Sequence, residues 1–230
     1  MDTSNRLNLT ARPSVSKSTK LPVVILISGR GSNLQSLIDG MRSKALPIDI
    51  KAVISNRPDV QGLKRARDAG IPALALDHKQ FESREAFDSA LQDLIDEYNP
   101  GLVILAGFMR ILTPKFVNHY LGRMLNIHPS LLPKYSGLNT HQRALENNDS
   151  KHGASIHFVT TELDGGPVVI QVEVPVQEND TADSLALRVL EQEHPLYQQA
   201  VKWFAEGRLK FENNQVLLDG TILKQPVSLK

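Results

Sequence analysis

The chain has 230 residues, a formal net charge of +1 and no cysteine. Without cysteine there is no disulfide, no thiolate zinc site and no covalent cysteine mechanism. Apolar residues make up 41% and charged residues 22% of the chain, as in ordinary globular proteins. No apolar run approaches the roughly 18–20 residues that span a membrane. We therefore expect a cytoplasmic protein without a membrane partner.

The first twenty residues differ in composition from the rest. They carry four basic side chains and one acidic one, so 22 basic and 24 acidic residues remain after residue 20. That slightly acidic body argues against nucleic-acid binding, which needs a basic face. Residues 1–20 are rich in Ser, Thr, Asn and Arg, a composition shared by transit peptides and disordered extensions. We expect a disordered extension, followed by a single domain over residues 21–230.

Strands and helices are predicted to alternate through the first part of the chain. Apolar runs bounded by Pro or Gly predict buried parallel strands, and apolar residues at helical spacing predict the helices between them. The predicted strands are residues 22–28, 50–54, 73–76, 102–106 and 124–128. One predicted helix begins at about Ser32, a second ends at Gly70, and a third spans residues 84–98. This order predicts an α/β fold with a doubly wound, mostly parallel sheet.

The pattern changes after about residue 150. Residues 154–160 and 168–175 alternate like an antiparallel pair of strands joined through an Asp-Gly-Gly turn. A long amphipathic helix is predicted over residues 183–205, broken or bent near Pro195. The last twenty residues predict a small hairpin around Asp219-Gly220. The C-terminal half should therefore add antiparallel strands and one long helix.

A glycine-rich loop, Ser-Gly-Arg-Gly-Ser-Asn-Leu at residues 28–34, lies between the first strand and the first helix. Anions bind at this place in doubly wound folds. No Gly-Lys-Ser/Thr follows, so the loop is not a Walker A motif, and Leu34 stands where a dinucleotide fingerprint needs its third glycine. The loop suits a terminal phosphate monoester; a structural strand–helix turn is the alternative.

Asn126 and His128 end the fifth predicted strand. Side chains two apart on a strand share a face, so the amide and the imidazole should project side by side. Asp164 is fixed by the Asp-Gly-Gly-Pro turn and can bring a carboxylate from a second loop. Such a trio suits acyl transfer, because the amide can stabilise an oxyanion, the imidazole can move a proton and the carboxylate can orient the imidazole.

The run Asn-Ile-His-Pro-Ser-Leu-Leu-Pro-Lys-Tyr at residues 126–135 and the Leu-Asp-Gly-Gly-Pro at 163–167 resemble the folate-dependent formyltransferases. Within that family the sequence looks most like the branch that acts on glycinamide ribonucleotide (GAR), and the resemblance extends from about Leu21 to the C-terminal segment. It implies a Rossmann-like formyltransferase domain that transfers the formyl group of 10-formyltetrahydrofolate to GAR in purine biosynthesis, without a metal. The catalytic residues it implies are Asn126, His128 and Asp164.

The same resemblance implies the ligand contacts. The residues implied for GAR are Gly31, Ser32 and Asn33, which hold its phosphate, and Glu193 on the long helix. Those implied for folate are Arg84, Met109, Arg110, Ile111, Leu112 and Asn126. The expected partners are these two small molecules, with no nucleic acid, in a monomer or weak homodimer. Two positions depart from relatives: Asn139 stands where others have His, and Ser136 where some have Pro.

Three other functions fit the sequence less well. A methionyl-tRNA formyltransferase carries a sizeable C-terminal RNA-binding domain, whereas only some sixty residues follow the predicted hairpin region here. A formyltetrahydrofolate hydrolase carries an N-terminal regulatory domain, for which twenty polar residues are too few. A non-catalytic nucleotide sensor would use the glycine-rich loop but would leave Asn126, His128 and Asp164 unexplained.

Overall fold

The computed structural model describes residues 20–229, so the predicted N-terminal extension lies outside the described residues except for Lys20. The first half contains β1 Leu21–Ile27, α1 Ser32–Arg42, β2 Ile48–Ser55, α2 Gln61–Asp68, β3 Ala73–Ala75, α3 Arg84–Asp96, β4 Leu102–Leu105, α4 Pro114–His119 and β5 Met124–His128. The second half contains α5 Thr140–Glu146, β6 Lys151–Phe158, β7 Val168–Pro175, α6 Ala182–Ala205, β8 Leu209–Glu212, β9 Gln215–Leu218, β10 Thr221–Ile222 and β11 Val227–Leu229.

Eight strands form one sheet in the order β11-β7-β6-β5-β4-β1-β2-β3. The five neighbouring strands β5, β4, β1, β2 and β3 are parallel to one another. The strand β6 is antiparallel to both of its neighbours, and β11 is parallel to β7. The prediction of a doubly wound, mostly parallel sheet with antiparallel strands in the C-terminal half is confirmed. The strand order reverses between β1 and β4, and ligands bind at the carboxyl ends of the strands beside such a reversal.

The strand β1 shows why the apolar runs in the first half of the chain form buried strands. Val23, Ile25 and Ile27 pack into the apolar core on one face of the sheet, together with α1 and α6. Val24 and Leu26 pack into the core on the other face, together with α3 and α4. All five side chains are fully buried, because successive side chains on a strand point to opposite faces and both faces carry helices.

The helix α6 continues through Pro195 without a break, so the prediction that it is broken near this residue is wrong. Proline removes only one backbone donor, the one that would bond to the carbonyl of Glu191, and Glu191 and Pro195 lie on the exposed side of the helix. The next two residues, Leu196 and Tyr197, are fully buried. The Tyr197 hydroxyl also contacts the carbonyl oxygens of Leu105 and Leu125, at 3.0 and 2.9 Å. Packing therefore holds the helix together across the proline.

The C-terminal hairpin is confirmed: β9 and β10 pair antiparallel around Asp219 and Gly220, which both have positive φ. A second hairpin joins β8 to β9 through Asn213 and Asn214, whose φ values of 51° and 61° are those of a tight hairpin turn. The short helices α4 and α5 and the edge strand β11 were not predicted. Within residues 20–229, no helix is long and apolar enough to cross a bilayer.

Candidate active site

The strand β5 places Asn126 and His128 at the carboxyl edge of the sheet, and the loop after β6 brings Asp164 to them. His128 is only 6% exposed. Its Nδ1 lies 3.4 Å from Asp164 Oδ2, and its Nε2 donates to the carbonyl oxygen of Tyr135 at 2.8 Å. Both ring nitrogens thus face oxygen acceptors, an arrangement complementary to an imidazole that carries a proton on each nitrogen.

Asp164 joins two loops of the site. Its Oδ2 accepts a hydrogen bond from the backbone N–H of Gly137 at 2.9 Å, so the carboxylate connects the loop after β6 to the loop after β5. The residue itself has a φ of 50°, in the left-handed region that Asp tolerates better than most residues. A Cβ on Gly166 would overlap the carbonyl oxygen of Phe158. The predicted Asp-Gly-Gly turn therefore needs glycine at this position, and the tight turn fixes the carboxylate.

The loop after β5 positions the Tyr135 carbonyl that His128 contacts. Ser130 Oγ donates to the carbonyl oxygen of Lys134, and Thr140 Oγ1 donates to that of Pro129, both at 2.6 Å. Asn139, the residue before α5, has a φ of 56°, which Asn adopts readily. These local bonds fix a backbone acceptor beside the imidazole, a contact that carries no signature in the sequence.

His157 belongs to the site although it was not predicted. It lies directly opposite Asn126 in the antiparallel pairing of β5 and β6 and is 2% exposed. Its Nδ1 donates to the carbonyl oxygen of Phe158 at 3.0 Å, so its Nε2 accepts from Asn126 Nδ2, also at 3.0 Å. Burial lowers the pKa of His157 and keeps the ring neutral, although the nearby Asp164 carboxylate acts in the opposite direction. His157 thus orients the Asn126 amide.

We expect His157→Ala to lower kcat by roughly 10- to 100-fold, the cost of losing an outer partner of a functional group. In His157→Gln, the side-chain oxygen can take the place of Nε2 as the acceptor from Asn126, so much of the activity should return. In His157→Asn the amide is too short to reach Asn126, and activity should stay low. Steady-state kinetics on the three variants check this, and equal losses in Gln and Asn would contradict the orienting role.

The glycine-rich loop meets the long helix α6 through a pair of buried side chains. Asn33 Nδ2 donates to Glu193 Oε2 at 2.7 Å, across 160 residues of sequence. Both residues are more than nine-tenths buried, and Asn33 Oδ1 has no hydrogen-bond partner among the described residues. Gly31 has a φ of 72°, and a Cβ there would lie 2.8 Å from the Cα of Gly62. The side chain of Asn33 therefore holds a carboxylate, while the backbone of the loop stays open to an anion.

Burial raises the pKa of Glu193, and the Asn33 hydrogen bond opposes that shift only in part. As the pH rises from the ordinary Glu pKa, about 4.3, through the raised pKa of Glu193, the buried carboxyl group ionises in the folded protein. The free energy of unfolding falls over this pH range. Glu193→Gln should therefore be more stable than the native chain at neutral pH by about 1–2 kcal/mol, or about 2–8 °C in melting temperature. The difference should shrink towards zero below pH 4.

Thermal unfolding followed from pH 3.5 to 8 measures this effect. Glu191→Gln, on an exposed position of the same helix, is the matched control and should change the melting temperature by less than about 1–2 °C at every pH. A Glu193→Gln difference that stays constant over the pH range would contradict a burial cost of the charged carboxylate.

The segment after β4 contributes an exposed apolar wall. Leu105 pairs with Asn126, so residues 106–112 leave the sheet beside Asn126. Met109 and Ile111 are 67% and 52% exposed, unusually high for large apolar side chains, and Leu112 is half-buried. Exposed apolar side chains beside polar catalytic groups are typical of a small-molecule site.

Arg110 lies with its guanidinium 4.7 Å above the ring of Phe87. Its positive charge, together with that of Arg84 at the exposed start of α3, acts on the buried Asp88. Burial raises the pKa of Asp88, and the Thr113 N–H at 2.6 Å and these two arginines oppose the shift. The positive charges of Arg110 and Arg84 thus both act on one buried carboxylate.

Within residues 20–229, no group of three or more His, Asp or Glu side chains is arranged to hold a metal ion. His141 and His152 do approach each other, with 3.1 Å between ring nitrogens. Burial, and in each case a neighbouring histidine, lowers both pKa values, that of His152 to about 4. The two rings are therefore neutral at physiological pH and pack under the loop after β5.

Comparison with known proteins places these features in a family context. A family model described as formyl transferase matches residues 21–201, which include Asn126, His128, Asp164 and Glu193. The phosphoribosylglycinamide formyltransferase of Escherichia coli is 56% identical over 198 residues, covering 86% of this chain and 93% of that protein. Its namesake from Haemophilus influenzae is 46% identical over 201 residues, covering 87% and 95%. The solved structure of the phosphoribosylglycinamide formyltransferase from Coxiella burnetii matches with a TM-score of 0.87 at 53% identity, covering 91% of this chain and 99% of that one.

Proposed function

The chain belongs to the formyl transferase family, and from this premise we propose that it transfers the formyl group of 10-formyltetrahydrofolate to the amino group of GAR. The products are formyl-GAR and tetrahydrofolate, in de novo purine (IMP) biosynthesis. The observation that carries the proposal is the contact of His128 with Asp164 beside Asn126, at the same edge of the sheet as the exposed apolar wall after β4 and the glycine-rich loop after β1. An acyl-transfer trio that shares a sheet edge with an anion site and an apolar surface suits a phosphorylated amine and a folate.

GAR is assigned to the glycine-rich loop. Backbone N–H groups of Gly31, Ser32 and Asn33 at the start of α1 can bind its phosphate, because the first N–H groups of a helix lack partners within the helix. The Glu193 carboxylate is assigned to the hydroxyl or amine donors of the same molecule. Because Asn33 donates to that carboxylate, its side chain is assigned to orienting Glu193, and its backbone N–H is assigned to the phosphate.

The folate is assigned to the wall formed by residues 109–112 and to Asn126. Met and Leu side chains offer adaptable apolar surface to a flat ring, and loop backbone groups can bond its polar edges. Arg110 and Arg84 supply positive charge for the carboxylates at the other end of the folate. In this arrangement the formyl group lies between the ring and GAR, next to Asn126 and His128.

The reaction begins when the amine of GAR attacks the formyl carbon. A C–N bond forms and the formyl oxygen becomes negatively charged in a tetrahedral intermediate. Asn126 has one Nδ2 hydrogen bonded to His157 and keeps the second for this oxygen. His128 uses Nε2 for the Tyr135 carbonyl, so Nδ1 is the nitrogen that can take up or release a proton, and the Asp164 carboxylate 3.4 Å away stabilises that proton. The bond to folate N10 then breaks, and the proton lost by the amine passes to N10 through His128 or water.

Three further features of the protein are inferred. We infer that residues 21–230 act as one formyltransferase domain, since β8, β9 and β11 at the C-terminal end add to the same apolar core as the first strands. We infer a cytoplasmic enzyme because its substrates are metabolites of purine synthesis. A monomer or weak homodimer is the expected assembly.

A spectrophotometric formyl-transfer assay with 10-formyltetrahydrofolate, run with and without GAR, tests the proposed function. We expect tetrahydrofolate to form only when GAR is present, and formyl-GAR to form in equal amount. Turnover without GAR would instead identify a hydrolase. Binding of GAR without any affinity for folate, measured by calorimetry, would favour the nucleotide sensor.

A further inference from the structure

The residue whose carbonyl accepts from His128 has an unfavourable backbone conformation. Tyr135 has a φ of 59°, in the left-handed region, where a bulky side chain is an outlier and persists only when the surrounding contacts hold it. Its carbonyl oxygen nevertheless lies 2.8 Å from His128 Nε2. Other contacts must therefore offset the preference of this residue for an ordinary conformation.

The hydroxyl of Tyr135 is bound by the carboxylate of Asp149. It donates to Asp149 Oδ2 at 2.7 Å, and Lys134 Nζ donates to the two oxygens of the same carboxylate at 2.8 and 3.0 Å. The Lys134 ammonium and the Tyr135 hydroxyl lower the pKa of Asp149, so the carboxylate is charged at neutral pH. The backbone N–H of Asp149 donates to the carbonyl oxygen of Ala144 in α5 at 3.1 Å. The hydroxyl is therefore bound to a group that is itself fixed between α5 and β6.

The ring of Tyr135 also has neighbours on its faces. The guanidinium of Arg143 lies 5.0 Å from the ring centroid, and its Nη1 donates to the carbonyl oxygen of Ser136 at 2.7 Å. The ring of His152, on β6, lies 6.2 Å away between centroids. Arg143 thus contacts both the ring and the backbone that follows it. We call the side chains of Tyr135, Arg143 and Asp149 the tyrosine clamp.

We propose that the tyrosine clamp holds the Tyr135 backbone in its left-handed conformation and so keeps its carbonyl oxygen on His128 Nε2. Among the described residues, the ring nitrogens of His128 contact only this carbonyl and the Asp164 carboxylate. The clamp residues are therefore positioning residues that act through one backbone group. This inference rests on the proposed function and adds to it a reason why Nε2 keeps its proton while Nδ1 exchanges one.

The variant Tyr135→Phe tests the clamp by removing only the hydroxyl that binds Asp149. We expect kcat to fall about tenfold, the rate equivalent of one hydrogen bond to a charged group. KM for both substrates should stay within about twofold, because the clamp acts on His128 and not on a bound substrate. In Asp149→Ala the same bond is lost, so adding Tyr135→Phe to that variant should lower kcat no further.

The left-handed backbone gives a second test. Tyr135→Ala and Tyr135→Asn both remove the clamp, but Asn adopts the left-handed conformation more readily than Ala. We therefore expect kcat of Tyr135→Asn to be about fivefold higher than that of Tyr135→Ala. A side chain that served only to fill space would give no such rescue.

The exchange of the imidazole N–H of His128 with solvent gives a measurement that needs no substrate. Nitrogen-15 NMR of the histidine rings should show Nε2 protonated in the native chain, with the signal identified by its absence from His128→Gln. In Tyr135→Phe this N–H should exchange about tenfold faster, because the hydrogen bond that protects it opens more often.

The matched control is Tyr120→Phe, which removes a hydroxyl that donates to Asp96 at 2.8 Å, between α4 and α3. It should lower the melting temperature but leave kcat within about twofold and the His128 exchange rate unchanged. Native kcat or native exchange in Tyr135→Phe would overturn the inference, as would an equal loss of kcat in the control or a kcat for Tyr135→Asn no higher than for Tyr135→Ala. GAR-dependent turnover by the native chain tests the proposed function separately, and the exchange measurement tests the clamp whatever the reaction is.

Discussion

Replacement of His128 by Ala should lower kcat by roughly 10²–10⁴, the range for a positioned general acid–base group. In the structure this imidazole is held by Tyr135 and Asp164 on its two nitrogens, so it is oriented before substrate binds. Without it, the proton released by the amine has no positioned carrier, and the charge on the formyl oxygen loses a donor. GAR-dependent formyl transfer measured at saturating substrates gives the value of kcat.

Two further variants separate the parts played by His128. His128→Gln keeps an N–H donor but cannot carry a proton, so we expect at least a 10²-fold loss, the lower end of that range. His119→Ala is the matched control, since that histidine is on α4 and pairs with Asp96 at 2.8 Å. Near-native turnover in His128→Ala, in a protein whose melting temperature shows that it is folded, would mean that another residue moves the proton.

Replacement of Asn126 by Ala should lower kcat by about 10²–10³, the usual cost of removing one donor from an oxyanion site. The amide is held by His157 at 3.0 Å, and this leaves one hydrogen aimed away from the imidazole of His157. The loss should appear in kcat more than in KM, because the donor meets a full negative charge only when the tetrahedral intermediate forms.

Asn126→Asp refines this prediction, since it keeps the shape of the side chain but places a negative charge next to the developing oxyanion. Its kcat should be at least as low as that of Asn126→Ala. Asn118→Ala, at an exposed position of α4, removes an amide from the surface and should leave kcat within about twofold of the native value. If Asn126→Ala and His128→Ala both kept nearly full activity, the assignment of the trio would be wrong.

The sequence by itself determined the fold class and the position of the trio. Apolar runs, helical spacing and Pro or Gly boundaries are local signals, and they were sufficient for the parallel strands β1 to β5. The projection of Asn126 and His128 from the same face of β5 follows from the two-residue period of a strand. Asp164 followed from the turn chemistry of its glycines. All of these features depend on residues within about ten positions of one another.

The tertiary structure alone decided which groups support those residues. His157 meets Asn126 only because β6 pairs antiparallel with β5 in one register, and Asn33 meets Glu193 across 160 residues. The Tyr135 carbonyl on His128 is a backbone group, which every residue type carries. Strand register and helix docking are set by burial of the whole core, which sums contacts from distant segments. No local pattern encodes that sum, so the supporting groups of the site emerge only from the folded chain.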